Sequence, residues 1–284
     1  MNPLQSFEYF IFDDNNLVVP FEQLTNSPSG GGIFSGPVTN TAATRVAFTA
    51  SANYNPPGTN ASGARQLYLS EISFNPPNPA PNTLFQLTNL PDNDFFNQGA
   101  DMTGDGQRIV FASNYAITGM SPDPERDIFI ADVGDPQNPV FTRITKSAEF
   151  TASSAEIDSA GNNIVFITEN PQFAPVKDGD TETIVMADII NPANPSFMSL
   201  ANFPPGTDID DLSAPNEFTF FAFESDDDLV SGGINNESEQ IYLLFTDQCP
   251  VIAVPTLSEW GLIAMASILG IFGFMVMRRR KALA

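Results

Sequence analysis

The sequence predicts an all-β fold, a β-propeller of four-stranded blades with incomplete ends, followed by one C-terminal transmembrane helix. Three observations carry this prediction. Short strings rich in β-branched and aromatic residues recur about every 55 residues. Gly, Pro, Asn and Asp bound each string, as they bound strands and turns. Near the C-terminus, the 18 residues Trp260 to Met277 carry no charge.

The first set of strings is RVAFTAS (45–51), RIVFASN (108–114), NIVFITE (163–169) and FTFFAFE (218–224), aligned on Phe48, Phe111, Phe166 and Phe221 at spacings of 63, 55 and 55. A second set follows at QLYLSEI (66–72), DIFIADV (127–133), TIVMADI (183–189) and QIYLLFT (240–246). LFQLTN (84–89), FTRITK (141–146) and FMSLAN (197–202) close the first three units. Each string is five to seven residues long and suits a pleated, half-buried surface. Asp105-Gly106 and Ala160-Gly161 supply tight turns into two of them. Four strands per repeating unit is the pattern of propeller blades.

DMTGDGQRIVFASN with DIFIADV resembles the TolB-type, WD40-like bacterial propeller repeats, which run Ser-x-Asp-Gly-x-x-Ile-x-Phe-x-Ser, a loop, Asp-Ile-Phe-x-x-Asp and a closing strand ending in Thr. The third unit keeps Gly161, Ile164 and Phe166 but has Ala160 at the turn Asp. The fourth loses the turn Gly and keeps an acidic loop. The resemblance covers residues 1–246 and implies fold more than function.

The ends do not match whole blades. FEYFIFDDNNLVVPFEQLTN fits the second and third strands of a blade whose beginning is missing, and the fourth unit has no closing strand before Cys249. In one reading VPFEQLTN (19–26) closes the propeller as the outer strand of the last blade. The preferred reading is a chain shortened at its N-terminus, since nothing near Met1 resembles a signal peptide and the body must be exported.

Residues 247–259 form a linker, and Trp260 to Met277 would span about 27 Å as a helix, close to the hydrocarbon thickness of a bilayer. The basic tail 278–284 begins Arg278, Arg279, Arg280 and Lys281, a positive-inside signal that leaves the N-terminal body outside the cytoplasm. Residues 1–255 hold 33 of the 34 acids and 7 of the 11 basic residues, a net charge of −26. Val254, Pro255, Thr256, Leu257, Trp260 and Gly261, then helix and basic stop, resemble the IPTL-CTERM sorting domain, with Val for Ile at 254. That resemblance implies processing near Pro255 to Leu257 by an exosortase-type transpeptidase in the membrane, and anchoring at, or release from, the surface of a bacterial cell envelope. A Pro in an extended segment joins neither helix nor sheet ladder, so the motif would stay accessible.

Composition excludes much chemistry. The chain has no His and one Cys, Cys249, so Ser-His-Asp and Cys-His catalysis, imidazole metal ligands and an internal disulfide are all ruled out. A net charge of −23 opposes nucleic acid as a partner. Acidic loops are the remaining candidates: Asp178, Asp180 and Glu182, then Asp208 with Asp210 and Asp211, Asp226 to Asp228, and Asp123 with Glu125 and Asp127. Calcium suits such oxygen-rich loops, Asp178, Asp180 and Glu182 above all, although none fits the EF-hand pattern; no other cofactor is expected. The expected function is a non-enzymatic, surface-displayed scaffold that binds a ligand or protein through loops such as NYNPPGTNASG (53–63) and FNPPNPAPN (74–82). The alternative is a calcium-assisted extracellular hydrolase or lyase, which would need carboxylates from different blades to converge on one pocket.

Overall fold

A computed structural model describes residues 9–12, 21–25, 32, 36–54, 60, 63–72, 83–91, 97–115, 117, 125–146, 150–173, 181–201, 203–229 and 239–245. The chain divides into two compact units, Met1–Thr246 and Asp247–Ala284, and every described residue lies in the first. Among the described residues no helix is long and apolar enough to cross a membrane; the uncharged run 260–277 lies outside them.

The first unit is all-β. A hairpin pairs β1 (Phe10–Phe12) with β2 (Phe21–Gln23) antiparallel, Phe10 opposite Gln23. Four sheets follow, each an antiparallel meander in chain order. Sheet I contains β3 (Val38–Thr39), β4 (Arg45–Ala50), β5 (Gln66–Glu71) and β6 (Thr83–Gln86). Sheet II contains β7 (Asn97–Met102), β8 (Arg108–Ser113), β9 (Asp127–Asp132) and β10 (Val140–Arg143). Sheet III contains β11 (Ala152–Ile157), β12 (Asn163–Thr168), β13 (Thr183–Asp188) and β14 (Ser196–Ser199). Sheet IV has three described strands, β15 (Leu212–Ser213), β16 (Phe220–Ser225) and β17 (Gln240–Phe245).

The middle strands of sheets I to III are buried on both faces because each sheet is sandwiched by its neighbours. On each sheet a trailing face packs against the leading face of the next. Ala47, Leu67 and Leu69 of sheet I meet Ile109, Phe111, Phe129 and Ala131 of sheet II. Val110, Ala112, Ile128 and Ile130 then meet Ile164, Phe166, Val185 and Ala187 of sheet III, and Val165, Ile167 and Ile184 meet Phe221, Phe223, Tyr242 and Leu244 of sheet IV. Tyr9 and Leu24 of the hairpin region cover the leading face of sheet I, with the Tyr9 ring edge-on to Phe48 at 5.1 Å.

Strand pairing corrects one alignment drawn from sequence. Phe166 lies opposite Val185, and the residue in that place in sheet IV is Phe223, opposite Tyr242; Phe221 matches Ile164 instead. Side chains alternate with a period of two, so Phe221 and Phe223 share a face and either satisfies the hydrophobic pattern; only the pairing separates them. Among the described residues VPFEQLTN does not close the last sheet either. Its described strand pairs with β1.

The turns entering β4, β8 and β12 are capped by a side chain at one repeat position: Asn40, Thr103 and Asp158. Asn40 Oδ1 accepts from the Thr44 and Arg45 amides, both at 2.9 Å. Thr103 Oγ1 accepts from the Arg108 amide at 3.0 Å, and Asp158 accepts from the Asn162 and Asn163 amides at 2.7 and 3.1 Å. Asp158 thus supplies the carboxylate that Ala160 cannot, and Gly161 takes the left-handed φ of 70° that the turn requires. These turns are also laced together. The Thr41 amide donates to Gly104 O, the Gly104 amide to Ser159 O and the Ser159 amide to Asn216 O, at 3.0, 3.0 and 2.9 Å. Arg45 and Arg108 reach across to Gly106 O and Gly161 O, each at 2.9 Å.

Candidate functional site

The innermost strands β7 and β11, NQGADM and ASSAEI, are the most polar strands of the fold, and the repeat strings do not include them. Each carries a bulge: register shifts between Gln98 and Asp101, and again between Ser153 and Glu156. Gly99 at φ 58° and Ser154 at φ 47° sit inside these bulges, 55 residues apart. Asp101 and Glu156 follow at the same spacing.

The two carboxyls meet across the boundary between sheets II and III. Asp101 Oδ2 accepts from the Ile157 amide at 2.9 Å, and Glu156 shares a hydrogen bond with Asp101. Burial, then repulsion from Asp101 and a further contribution from Asp211, pushes Glu156 up to about 9. Burial raises Asp101 too, against the hydrogen bonds that favour its charged form. The pair therefore holds a proton at neutral pH, because two adjacent buried carboxylates cannot both ionise. Sequence reading missed this pair; the shared spacing of 55 was its one visible signal.

Of the acidic loop read as a calcium site, Glu182 is described, while Asp178 and Asp180 lie outside the described residues. Glu182 Oε2 accepts from the Ile209 amide at 2.6 Å, and burial followed by the neighbouring Asp208 and Glu169 charges raises its pKa to about 7. Asp208 is tied to Asp227, whose Oδ2 accepts the Asp208 amide at 3.0 Å. Among the described residues no three acidic or Cys side chains are grouped to hold a metal ion. Asp127 is a structural carboxylate. It is buried, accepts from Thr145 Oγ1 at 2.7 Å and forms an ion pair with Arg143. Thr145 in turn accepts from the Ile128 amide at 2.9 Å, which accounts for the Thr that ends a closing strand.

Val254, Pro255, Thr256, Leu257, Trp260, Gly261 and Arg278 to Lys281 lie outside the described residues, as does Cys249. They are reached by comparison with known families: residues 252–280 match the IPTL-CTERM motif. The C-terminal segment of this chain carries that sorting motif. None of the curated proteins compared matches the chain.

Several solved structures are similar to it. TolB from Acinetobacter baumannii is 17% identical at a TM-score of 0.49, over 84% of this chain and 49% of that one. A putative TolB from Agrobacterium tumefaciens is 14% identical at 0.44, over 80% and 70%. Prolyl oligopeptidase B from Galerina marginata is 11% identical at 0.46, over 78% and 26%. This chain spans about half the length of the Acinetobacter TolB.

Proposed function

We propose that this is a bacterial cell-envelope protein whose acidic, propeller-type body is displayed outside the cytoplasm as a binding scaffold, after an exosortase-type transpeptidase recognises its C-terminal signal. The IPTL-CTERM motif at residues 252–280 is the observation that carries this reading. The uncharged run and basic cluster of the tail support a single membrane pass with the basic end inside. The body would act as a scaffold and not as a catalyst. The carboxyl pair between sheets II and III, Asp101 and Glu156, is spent on a mutual hydrogen bond and on the Ile157 amide. Retaining glycosidases hold their two carboxyls roughly 5 Å apart with substrate between them, a geometry that a hydrogen-bonded pair does not offer.

The test is localisation. Full-length chain and a variant with Pro255, Thr256 and Leu257 all changed to Ala are expressed in the native cell, and envelope, surface and medium fractions are compared. The wild type is expected at the surface or in the medium, and the variant retained in the membrane with its tail intact. Identical distributions would remove the sorting reading.

A further inference from the structure

The rule that joins the sheets leaves two faces without a partner among the described residues. Every trailing face packs on the leading face of the following sheet, except that of sheet IV. There Ile241, Leu243 and Phe245 are 73%, 56% and 63% exposed, with Phe220 beside them at 37%. Strand pairing makes Ile241 the counterpart of Ile128 and Ile184, both fully buried beneath the next sheet. Phe245 and Phe220 lie opposite each other with rings 6.2 Å apart, where sheets II and III have the polar pairs Asp132 with Arg108 and Asp188 with Asn163. This face is therefore more apolar at its rim than the covered faces of sheets II and III. Glu224, half-buried on β16, is the one charged residue that strands β16 and β17 themselves place on it.

The second open face is the outer side of the hairpin. Tyr9 and Leu24 turn toward sheet I, and Phe10 projects the other way, 57% exposed. By its place in the stack this is a leading face, the kind that covers a trailing face three times in this chain. No strand of sheet IV packs extensively on β1 or β2 of the same chain.

We propose that the trailing face of sheet IV docks on the hairpin face of a second copy of this chain, continuing between molecules the sheet-on-sheet packing already present within one. Each chain carries −23, but β17 itself carries none of it, so the apolar gain along Ile241, Leu243 and Phe245 is not opposed by a charge on that strand. The contact is heterologous: head and tail are different surfaces, and each can be disabled separately.

The experiment measures the mass of full-length chain in detergent by sedimentation, with the micelle subtracted, at tens of micromolar. The wild type is expected at two copies or more. Leu243→Asp and Phe10→Asp should each give monomers, with a dissociation constant raised at least about tenfold, and equal mixing of the two variants should restore a two-chain species through the one intact head and tail. Both side chains are exposed, so circular dichroism and melting should match the wild type; if an Asp variant misfolds, Leu243→Thr and Phe10→Thr replace it. A monomeric wild type overturns the proposal, whether because the face is covered from within the chain or by an unlike partner. So does an assembly that Phe10→Asp leaves intact, which would indicate contact between two like faces, and so does one that Leu243→Asp leaves intact, which would place association in the tail.

Discussion

Sheets II and IV are built from the same kind of strand and end in opposite circumstances. Ile128 on β9 is fully buried between two sheets, whereas Ile241, in the same place on β17, faces outward. The sequences DIFIAD and QIYLLF give little sign of this difference. Burial in a stacked architecture belongs to the neighbour as much as to the strand, so each face is stable only in so far as the next sheet arrives to cover it. Sheet II also has a fourth, outer strand and a buried Asp127–Arg143 pair, neither of which sheet IV shows among the described residues.

The largest expected effect breaks the closed region. Arg143→Met leaves Asp127 buried without its cation and should cost about 3–5 kcal/mol, read from urea unfolding. Asp127→Asn with Arg143→Met should recover much of the loss. Next comes the matched pair of truncations. Ile128→Ala should cost about 2–5 kcal/mol by leaving a cavity, and Ile241→Ala should stay within about 0.5 kcal/mol in the monomer. Equal effects would mean that the face of sheet IV is covered.

Gly104→Ala probes the laced turns. A Cβ there would strike the Ser159 hydroxyl and lie 2.8 Å from Thr41 Oγ1, so both hydroxyls must turn away and stability should fall by about 1 kcal/mol. The carboxyl pair adds a pH signature. The folded protein keeps the Glu156 proton up to about 9, while an unfolded Glu releases it near its ordinary 4.5, so the native state binds more protons in that window. Stability should therefore fall as pH rises from about 4.5 toward 9, and Glu156→Gln should flatten that slope, in melting curves taken across the range. Glu182 contributes in the same direction up to about 7. Smallest is Ser154→Gly, which relieves a left-handed φ of 47° and should be neutral to about 1 kcal/mol stabilising.

Much of the stack is legible from residues alone. RIVFAS, DIFIAD, NIVFIT and TIVMAD are strands because their β-branched and aromatic side chains have two apolar faces to fill, and such strings stand out from Asn- and Pro-rich loops. The innermost strands do not, since NQGADM and ASSAEI contain polar residues and a bulge that breaks the alternation. The carboxyl pair was hidden for the same reason. Two acids 55 residues apart look like any others until two bulges aim them at one boundary. The IPTL-CTERM motif was legible, because motif, apolar run and basic cluster are contiguous and need no tertiary contact to be recognised.

On the proposed reading this body reaches the envelope through its C-terminal signal. The most direct test is the intact mass, with both terminal peptides, of the mature protein recovered from the native cell envelope. Loss of everything beyond the Pro255 to Leu257 region, with or without an added anchoring group, is the predicted result. A mature chain that keeps Trp260 to Ala284 would contradict it and leave a protein that is held in the membrane without being sorted.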